Sequence, residues 1–412
     1  MKITKMATGR YSWLLVGLLW IVAFLNYLDR ILITSMRDPI VVEFKLSDAQ
    51  FGLLTSVFLW SYGLLSPVGG FFADRYSRKK VILFSVLVWS AVTVWTGFVG
   101  SFHEMIAARL FMGVSEACYI PAALALITDY HKGRTRSLAT GLHMSGLYAG
   151  LALGGIGGYV ATLWGWRCGF QLFGAFGLLY SFVLLYFLKD HQVTPANSAG
   201  SKSNKAEKDI SPFKAVKILF AERSFYVLMF YFGILGMVNW LVYGWLPTFL
   251  KLHFNLSLGE AGISATGYVQ VGSFIGVLLG GLIADRWFRT NKRSRLYIVI
   301  IGFTLGCPFL FLMSTTPAFS MAVIAMIIYG ISRGINDANL MPILSQTIDA
   351  RYLATGYGCL NFLSTIIGGV MVYLGGRLKD ANVDLSIVYQ VSAIAMLLAC
   401  WSLMAVKFKN IE

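Results

Sequence analysis

The sequence predicts an all-α polytopic membrane protein of twelve transmembrane helices in two six-helix pseudo-repeat bundles, and three observations predict it. Of its 412 residues 57% are hydrophobic and only 13% charged, far from the mixture of a water-soluble domain. Apolar runs of roughly 20 residues recur along the chain, each long enough at ~1.5 Å per residue to cross a ~30 Å hydrocarbon layer. A ten-residue motif occurs twice, once in each half.

Hydropathy places helices over residues 12–33, 51–72, 79–100, 104–128, 136–161, 167–188, 224–250, 260–284, 296–315, 318–346, 352–376 and 385–408. The first run is too long for a signal-peptide core and has no small-residue cleavage pattern, so it is read as a helix that stays in the protein. Between segments 6 and 7 the chain turns to Ser, Asn, Lys, Ala and Gly, the composition of a solvated linker. The predicted organisation is an N-terminal bundle over 1–189, a cytoplasmic linker over 190–222 and a C-terminal bundle over 223–412.

The net charge of +15 does not point to nucleic acid, because the basic residues cluster between apolar segments, where they set orientation. One side collects 25 of the 34 Lys and Arg residues and the other 6, with 3 inside spans. The positive-inside rule therefore puts both termini and the linker in the cytoplasm. Compact loops fit a bacterial inner-membrane protein and a monomer among membrane lipids. Cys118, Cys168, Cys307, Cys359 and Cys400 are scattered through apolar segments without metal-ligand spacing and read as small buried hydrophobes. No metal site, cofactor or enzyme constellation is expected.

The repeat is the most specific signal. Gly69-Gly70-Phe71-Phe72-Ala73-Asp74-Arg75-Tyr76-Ser77-Arg78 ends segment 2, and Gly280-Gly281-Leu282-Ile283-Ala284-Asp285-Arg286-Trp287-Phe288-Arg289 ends segment 8, with six of ten positions identical at an offset of 211. Two copies of one six-helix unit follow from it. With Lys79 after Arg78, this pattern resembles the loop signature of the major facilitator superfamily. The resemblance spans essentially the whole chain, and it implies the two-bundle fold and transport of a small solute by alternating access.

Two branches of that superfamily are similar at finer grain. Asn26-Tyr27-Leu28-Asp29-Arg30 and Arg109-Leu110-Phe111-Met112-Gly113-Val114-Ser115-Glu116-Ala117 resemble the anion:cation symporters, which carry organic anions such as sugar acids. Ser66-Pro67-Val68-Gly69-Gly70 with the following Asp-Arg motif resembles the Spinster-type carriers of lysophospholipid or sphingoid solutes. The first resemblance implies proton coupling at Asp29 and Glu116 and a binding tyrosine at Tyr62. The superfamily resemblance implies that Gly70, Asp74, Arg75 and Arg78, with Asp285, Arg286 and Arg289, form a cytoplasmic gate motif. Segment 5 carries Gly146, Gly150, Gly154, Gly155, Gly157 and Gly158, a face for close helix approach. Leu151 stands where the superfamily's antiporters place a proline, which leans against drug:proton exchange.

The residues themselves point the same way. A charge inside hydrocarbon is costly, so ionisable residues in spans face a cavity or a partner. Six stand out: Asp29 and Arg30, Arg109 and Glu116, Arg333 and Asp337. Spacings of seven and four put the second and third pairs each on one helical face, and an ion pair between Arg109 and Glu116 is one expectation. A guanidinium stays charged and can fork onto a carboxylate, which makes Arg30 and Arg109 candidates for an anionic solute. Burial favours the neutral form of a carboxyl group while a nearby guanidinium favours the charged form, so Glu116 reads as a proton carrier; sodium is the other candidate ion. Polar residues within predicted spans complete the candidate binding set: Tyr27, Tyr62, His143, Tyr148, Asn239, Tyr243, Gln270, Arg333, Asp337 and Asn361.

Overall fold

In the computed structural model, residues 2–131, 135–190, 212–349 and 352–408 are described, without the side chains of 2–9, 70, 71, 73, 74, 137, 212–215 and 354. Among the described residues twelve helical stretches are long and apolar enough to cross a membrane, from Arg10–Ser35 to Leu385–Ala405. The hydropathy boundaries differ from these by a few residues. Most of the expected linker, 191–211, lies outside the described residues.

The helices are α1 (Lys2–Ser35), α2 (Arg37–Phe44), α3 (Asp48–Arg75), α4 (Arg78–Thr96), α5 (Phe102–Glu116), α6 (Tyr119–Tyr130), α7 (Arg136–Leu153), α8 (Gly157–Trp164), α9 (Trp166–Phe187), α10 (Pro212–Leu219), α11 (Arg223–Phe254), α12 (Leu258–Phe288), α13 (Ser294–Thr315), α14 (Phe319–Thr347), α15 (Leu353–Asp380) and α16 (Leu385–Ser402). Two spans are broken where the sequence predicts continuous helices. Pro121, in the first turn of α6, has no N–H to return to Ala117, so the fourth span divides at residues 117–118. The freed polar backbone is used locally: the Ser115 carbonyl accepts a hydrogen bond from Ser85 Oγ, and Gly69 of α3 packs directly against the Ala117 carbonyl. The fifth span narrows to a 3₁₀ turn over Gly154–Ile156, inside its glycine run.

By compactness the chain forms two units, which are not the two sequence halves. The first joins Met1–His191 with Trp240–Gln270 and Gly369–Asp384; the second comprises Gln192–Asn239, Val271–Gly368 and Leu385–Glu412. In the first unit α1 and α7 cross closely because glycines remove the side chains between them. A Cβ on Gly150 would lie 2.2 Å from the Phe24 carbonyl oxygen, and one on Gly146 would lie 2.6 Å from that of Trp20. The glycine face also meets α12: Gly155 packs on Gly262 and Gly158 on Leu258. The core beneath holds Leu15, Leu19, Val22, Trp89, Tyr119 and Leu126, all fully buried.

Gly150→Ala is therefore expected to lower the thermal midpoint in detergent by several degrees, since overpacking against backbone costs ~1–3 kcal/mol. Gly141→Ala, on the same helix with nothing within 4 Å of its added methyl group, should not lower it, because alanine is the better helix former. Equal midpoints for the two variants would contradict the close crossing.

In the second unit α13 packs on α14 and α16. Tyr231 donates to Asn336 Oδ1 at 2.6 Å, Asn339 Nδ2 donates to the Gly280 carbonyl at 3.3 Å, and Gly334 approaches the Ser273 carbonyl. These contacts satisfy part of the polar face of α14 within the unit.

Candidate functional site

The first unit gathers buried charges from α1 and α5 around one aromatic face. Arg30 is 2% exposed and Glu116 fully buried, and Arg30 Nε donates to Glu116 Oε2 at 2.7 Å. Arg30 Nη2 donates to Asn26 Oδ1 at 3.0 Å, one turn back along the same helix. The guanidinium lies over the rings of Tyr62 at 4.3 Å, Tyr27 at 4.4 Å and Phe58 at 5.3 Å from their centroids. Tyr27 reaches it because residues three apart share a helical face, and Phe58 and Tyr62, four apart on α3, stack on one another. Aromatic faces stabilise a cation without neutralising it, so this cage holds Arg30 in place while its charge remains available.

The expected pairing of Glu116 with Arg109 is not what forms. Seven residues on one face are still about 10 Å apart along the axis at 1.5 Å per residue, too far for direct contact, and Glu116 turns to α1 instead. Arg109, 1% exposed, donates Nε to the Leu54 carbonyl at 3.4 Å and Nη1 to Met112 Sδ at 3.0 Å, and lies 4.8 Å from the Phe58 centroid. Among the described residues its Nη2 has no hydrogen-bond partner and it forms no ion pair. Asp29, one residue before Arg30, points to α4, where Oδ2 accepts a long hydrogen bond from Thr93 Oγ1 at 3.3 Å and Oδ1 has none. Glu116 and Asp29 both lie within electrostatic reach of Arg109. Two buried guanidiniums and two buried carboxyl groups thus share this site, and among the described residues Arg30 and Glu116 are the pair in contact.

Other candidates fall into three places. Tyr243 packs with Tyr27, Ile31, Leu151 and Trp240 and accepts from Gln270 Nε2 at 2.9 Å, so both belong to the same unit and adjoin the cage through Tyr27; Tyr148 is half-buried on α7. His143 is fully buried beside Tyr119, with ring centroids 6.0 Å apart. Tyr119 in turn donates to the Leu19 carbonyl, three turns along α1 from Arg30. His143 thus sits in the packing core, not in the cage. Asn239, Arg333, Asp337 and Asn361 lie in the second unit. There Asn336 Nδ2 donates to Asp337 Oδ1 at 3.2 Å, and Arg333 is 8% exposed.

Of the gate motif, the side chains of Gly70 and Asp74 are outside the described residues, and Arg75 is exposed. Arg78 pairs with Asp129 and donates to the Ala125 carbonyl at 3.2 Å, tying α4 to the end of α6. In the second copy Asp285 pairs with Arg295 at 2.7 Å across the turn to α13, while Arg286 and Arg289 are exposed. Asn26, Phe58, Thr93 and Trp240 were not among the sequence candidates. The i, i+4 relation of Asn26 to Arg30 was the available signal for the first; the others depend on which helices meet.

The family model of the Major Facilitator Superfamily matches residues 19–373. The chain belongs to this superfamily. Its members are transporters rather than enzymes, and the chain is an integral membrane protein with the superfamily's fold. Protein spinster homolog 1 of Xenopus tropicalis is 29% identical over 74% of this chain and 60% of its own length, so the match spans less than two thirds of that relative. The probable galactarate/D-glucarate transporter of Escherichia coli is 24% identical over 97% of this chain and 96% of its own. Among solved structures, a bacterial homologue of the human lysosomal transporter Spinster, in an inward-facing and unoccupied conformation, superposes with a TM-score of 0.76 at 21% identity, covering 97% of this chain and 99% of that one. That likeness is one of fold.

Proposed function

We propose that this major facilitator protein is a proton-coupled symporter of a small organic anion, a sugar acid or similar carboxylate. The observation that carries the reading is the buried Arg30–Glu116 contact inside an aromatic cage. A carboxylate-bearing solute that engages Arg30 competes with Glu116 for the guanidinium. Glu116, buried and deprived of its counter-charge, is then stabilised by taking up a proton, since an unpaired buried charge is strongly disfavoured. Anion and proton therefore load together and leave together. Asp29 serves as a second proton site and Arg109 as a second positive charge facing the solute; Tyr27, Tyr62, Tyr243 and Gln270 supply hydroxyl and amide groups for a polyhydroxylated body. Arg333, Asp337, Asn239, Asn361 and Tyr148 contribute from elsewhere in the pathway, and Asp74, Arg75, Arg78, Asp285, Arg286 and Arg289 work at the cytoplasmic gate. The relative that covers nearly the whole chain supports the substrate class.

The same reading places the protein as a monomer in a bacterial inner membrane, both termini cytoplasmic. The test is uptake into proteoliposomes of a panel of sugar acids, neutral sugars and lysolipids, with and without an inward proton gradient. Accumulation of an acid only under the gradient is the expected result. Movement of a lysolipid and of no acid would replace this reading with a Spinster-like one.

A further inference from the structure

The turn between α12 and α13 carries the second copy of the repeated motif, and the two copies end differently. In the first, Arg78 pairs with Asp129 and donates to the Ala125 carbonyl, which closes that turn onto the end of α6. In the second, Arg289 at the matching position is exposed. Between this turn and the end of α14 a cavity of about 460 Å³ remains, within the second unit, and Phe288, Arg295, Met341, Ser345, Gln346 and Leu353 line it. Its size falls within the ~300–1,000 Å³ of ordinary ligand sites. On its wall Ser345 Oγ donates to the Pro342 carbonyl at 2.8 Å, whereas Gln346 Oε1 is buried with no hydrogen-bond donor among the described residues. No protein contact to that oxygen fixes the amide, and a half-turn about its last torsion presents the oxygen to the cavity.

The mouth of this cavity is positively charged. Residues 285–295 include five basic side chains and one acidic one. Two of the cations converge on a single ring: Lys292 Nζ lies 5.2 Å and Arg295 Cζ 5.1 Å from the centroid of Phe288. An aromatic face stabilises a cation, but two like charges drawn to one ring repel each other. Asp285, paired with Arg295 at 2.7 Å and itself 67% exposed, offsets only one of the five. The membrane boundary lies at the same level. Trp287 of α12 and Tyr297 of α13 have ring centroids 6.1 Å apart, and such rings gather among lipid headgroups. About one turn before Trp287, Leu282 and Ile283 are 71% and 50% exposed, as side chains against acyl chains are.

We propose that this cavity is a binding site for one anionic phospholipid. Its phosphate meets Lys292 and Arg295 beside Phe288 and relieves their mutual repulsion, its headgroup enters between Met341 and Leu353 towards the Gln346 amide, and its acyl chains stay in the bilayer. Each cation near an anionic headgroup contributes about fivefold in affinity. A choline lipid, which carries its own cation, gains nothing from the surplus positive charge. A soluble phosphate ester would meet the same cations but leave the apolar wall and the membrane position unused. The site lies in the second unit, whereas Arg30 and Glu116 lie in the first, so it is separate from the contact assigned to the cargo.

The test reads binding to the delipidated full chain in detergent, with no cargo and no gradient, so its outcome is independent of the anion–proton reading. Dioctanoyl-phosphatidylglycerol, dioctanoyl-phosphatidylcholine and glycerol 3-phosphate are titrated in turn, and the thermal midpoint is followed as a measure of occupancy. The glycerol lipid should raise the midpoint saturably, and the other two should not. Lys292→Gln with Arg295→Gln should weaken its apparent affinity about tenfold or more. Ser345→Phe, which keeps every charge and fills the cavity, should weaken it comparably. Lys80→Gln with Arg136→Gln, which removes two exposed cations from the first unit, should leave it within about twofold. An equal response to the choline lipid, or to glycerol 3-phosphate, would overturn the proposal in favour of unselective lipid contact or a soluble-anion site. Parental affinity in either cavity variant, or an equal loss in the Lys80 and Arg136 variant, would overturn it as well.

Discussion

Glu116→Gln is expected to abolish accumulation of the transported anion against its gradient while leaving solute exchange intact. Glutamine keeps the shape and can still accept from Arg30 Nε, so the contact seen at 2.7 Å survives as a neutral hydrogen bond. What is lost is a group that binds a proton. One unit of pH difference supplies ~1.4 kcal/mol per proton, an accumulation ratio of about tenfold. The variant should equilibrate at a ratio near one under the same gradient, and counterflow of labelled against unlabelled solute should continue at a comparable rate. Wild-type accumulation in the variant would remove Glu116 from coupling.

Arg30→Ala is expected to abolish binding, and its effect on the protein itself separates two roles. Loss of a charge-assisted contact to the solute costs ~1.5–3 kcal/mol, about tenfold to a hundredfold in affinity. Removing one partner of a buried ion pair also leaves the other uncompensated, a destabilisation of ~3–5 kcal/mol. Arg30→Ala combined with Glu116→Gln removes that second cost. The double variant should therefore regain much of the lost thermal stability in detergent and regain no binding by calorimetry. Recovery of binding along with stability would show that Arg30 holds helices together and does not meet the solute.

The twelve spans were legible because a membrane helix is specified by a continuous apolar run, and the segment predicted over 224–250 matches Arg223–Phe254 closely. The breaks were not, since a hydropathy window averages over the single proline or few glycines that make them: Pro121 divides the fourth span and the Gly154–Ile156 turn the fifth. The short helix α2 has only the three-residue apolar run Ile40-Val41-Val42, far too short for a hydropathy window. In the candidate site, same-face spacing suggested that Arg109 and Glu116 point one way, but Glu116 meets a partner 86 residues earlier in the chain. Periodicity tells which way a side chain faces and not which helix it meets. Arg37, Lys251 and Lys379 illustrate the same limit. They were counted as charges that orient the chain, and only the packing of α2, α3, α11 and α15 strings them together through Asp38 and Asp48.

The most direct test of the central claim, that one buried contact couples anion to proton, is a paired flux measurement. Purified protein in liposomes with a trapped pH indicator and no membrane potential receives a labelled sugar acid from the panel, and acid uptake and lumenal acidification are followed together. The account predicts that the two rise with a common time course and that Glu116→Gln severs them. Acid uptake at the wild-type rate with no movement of protons would contradict it.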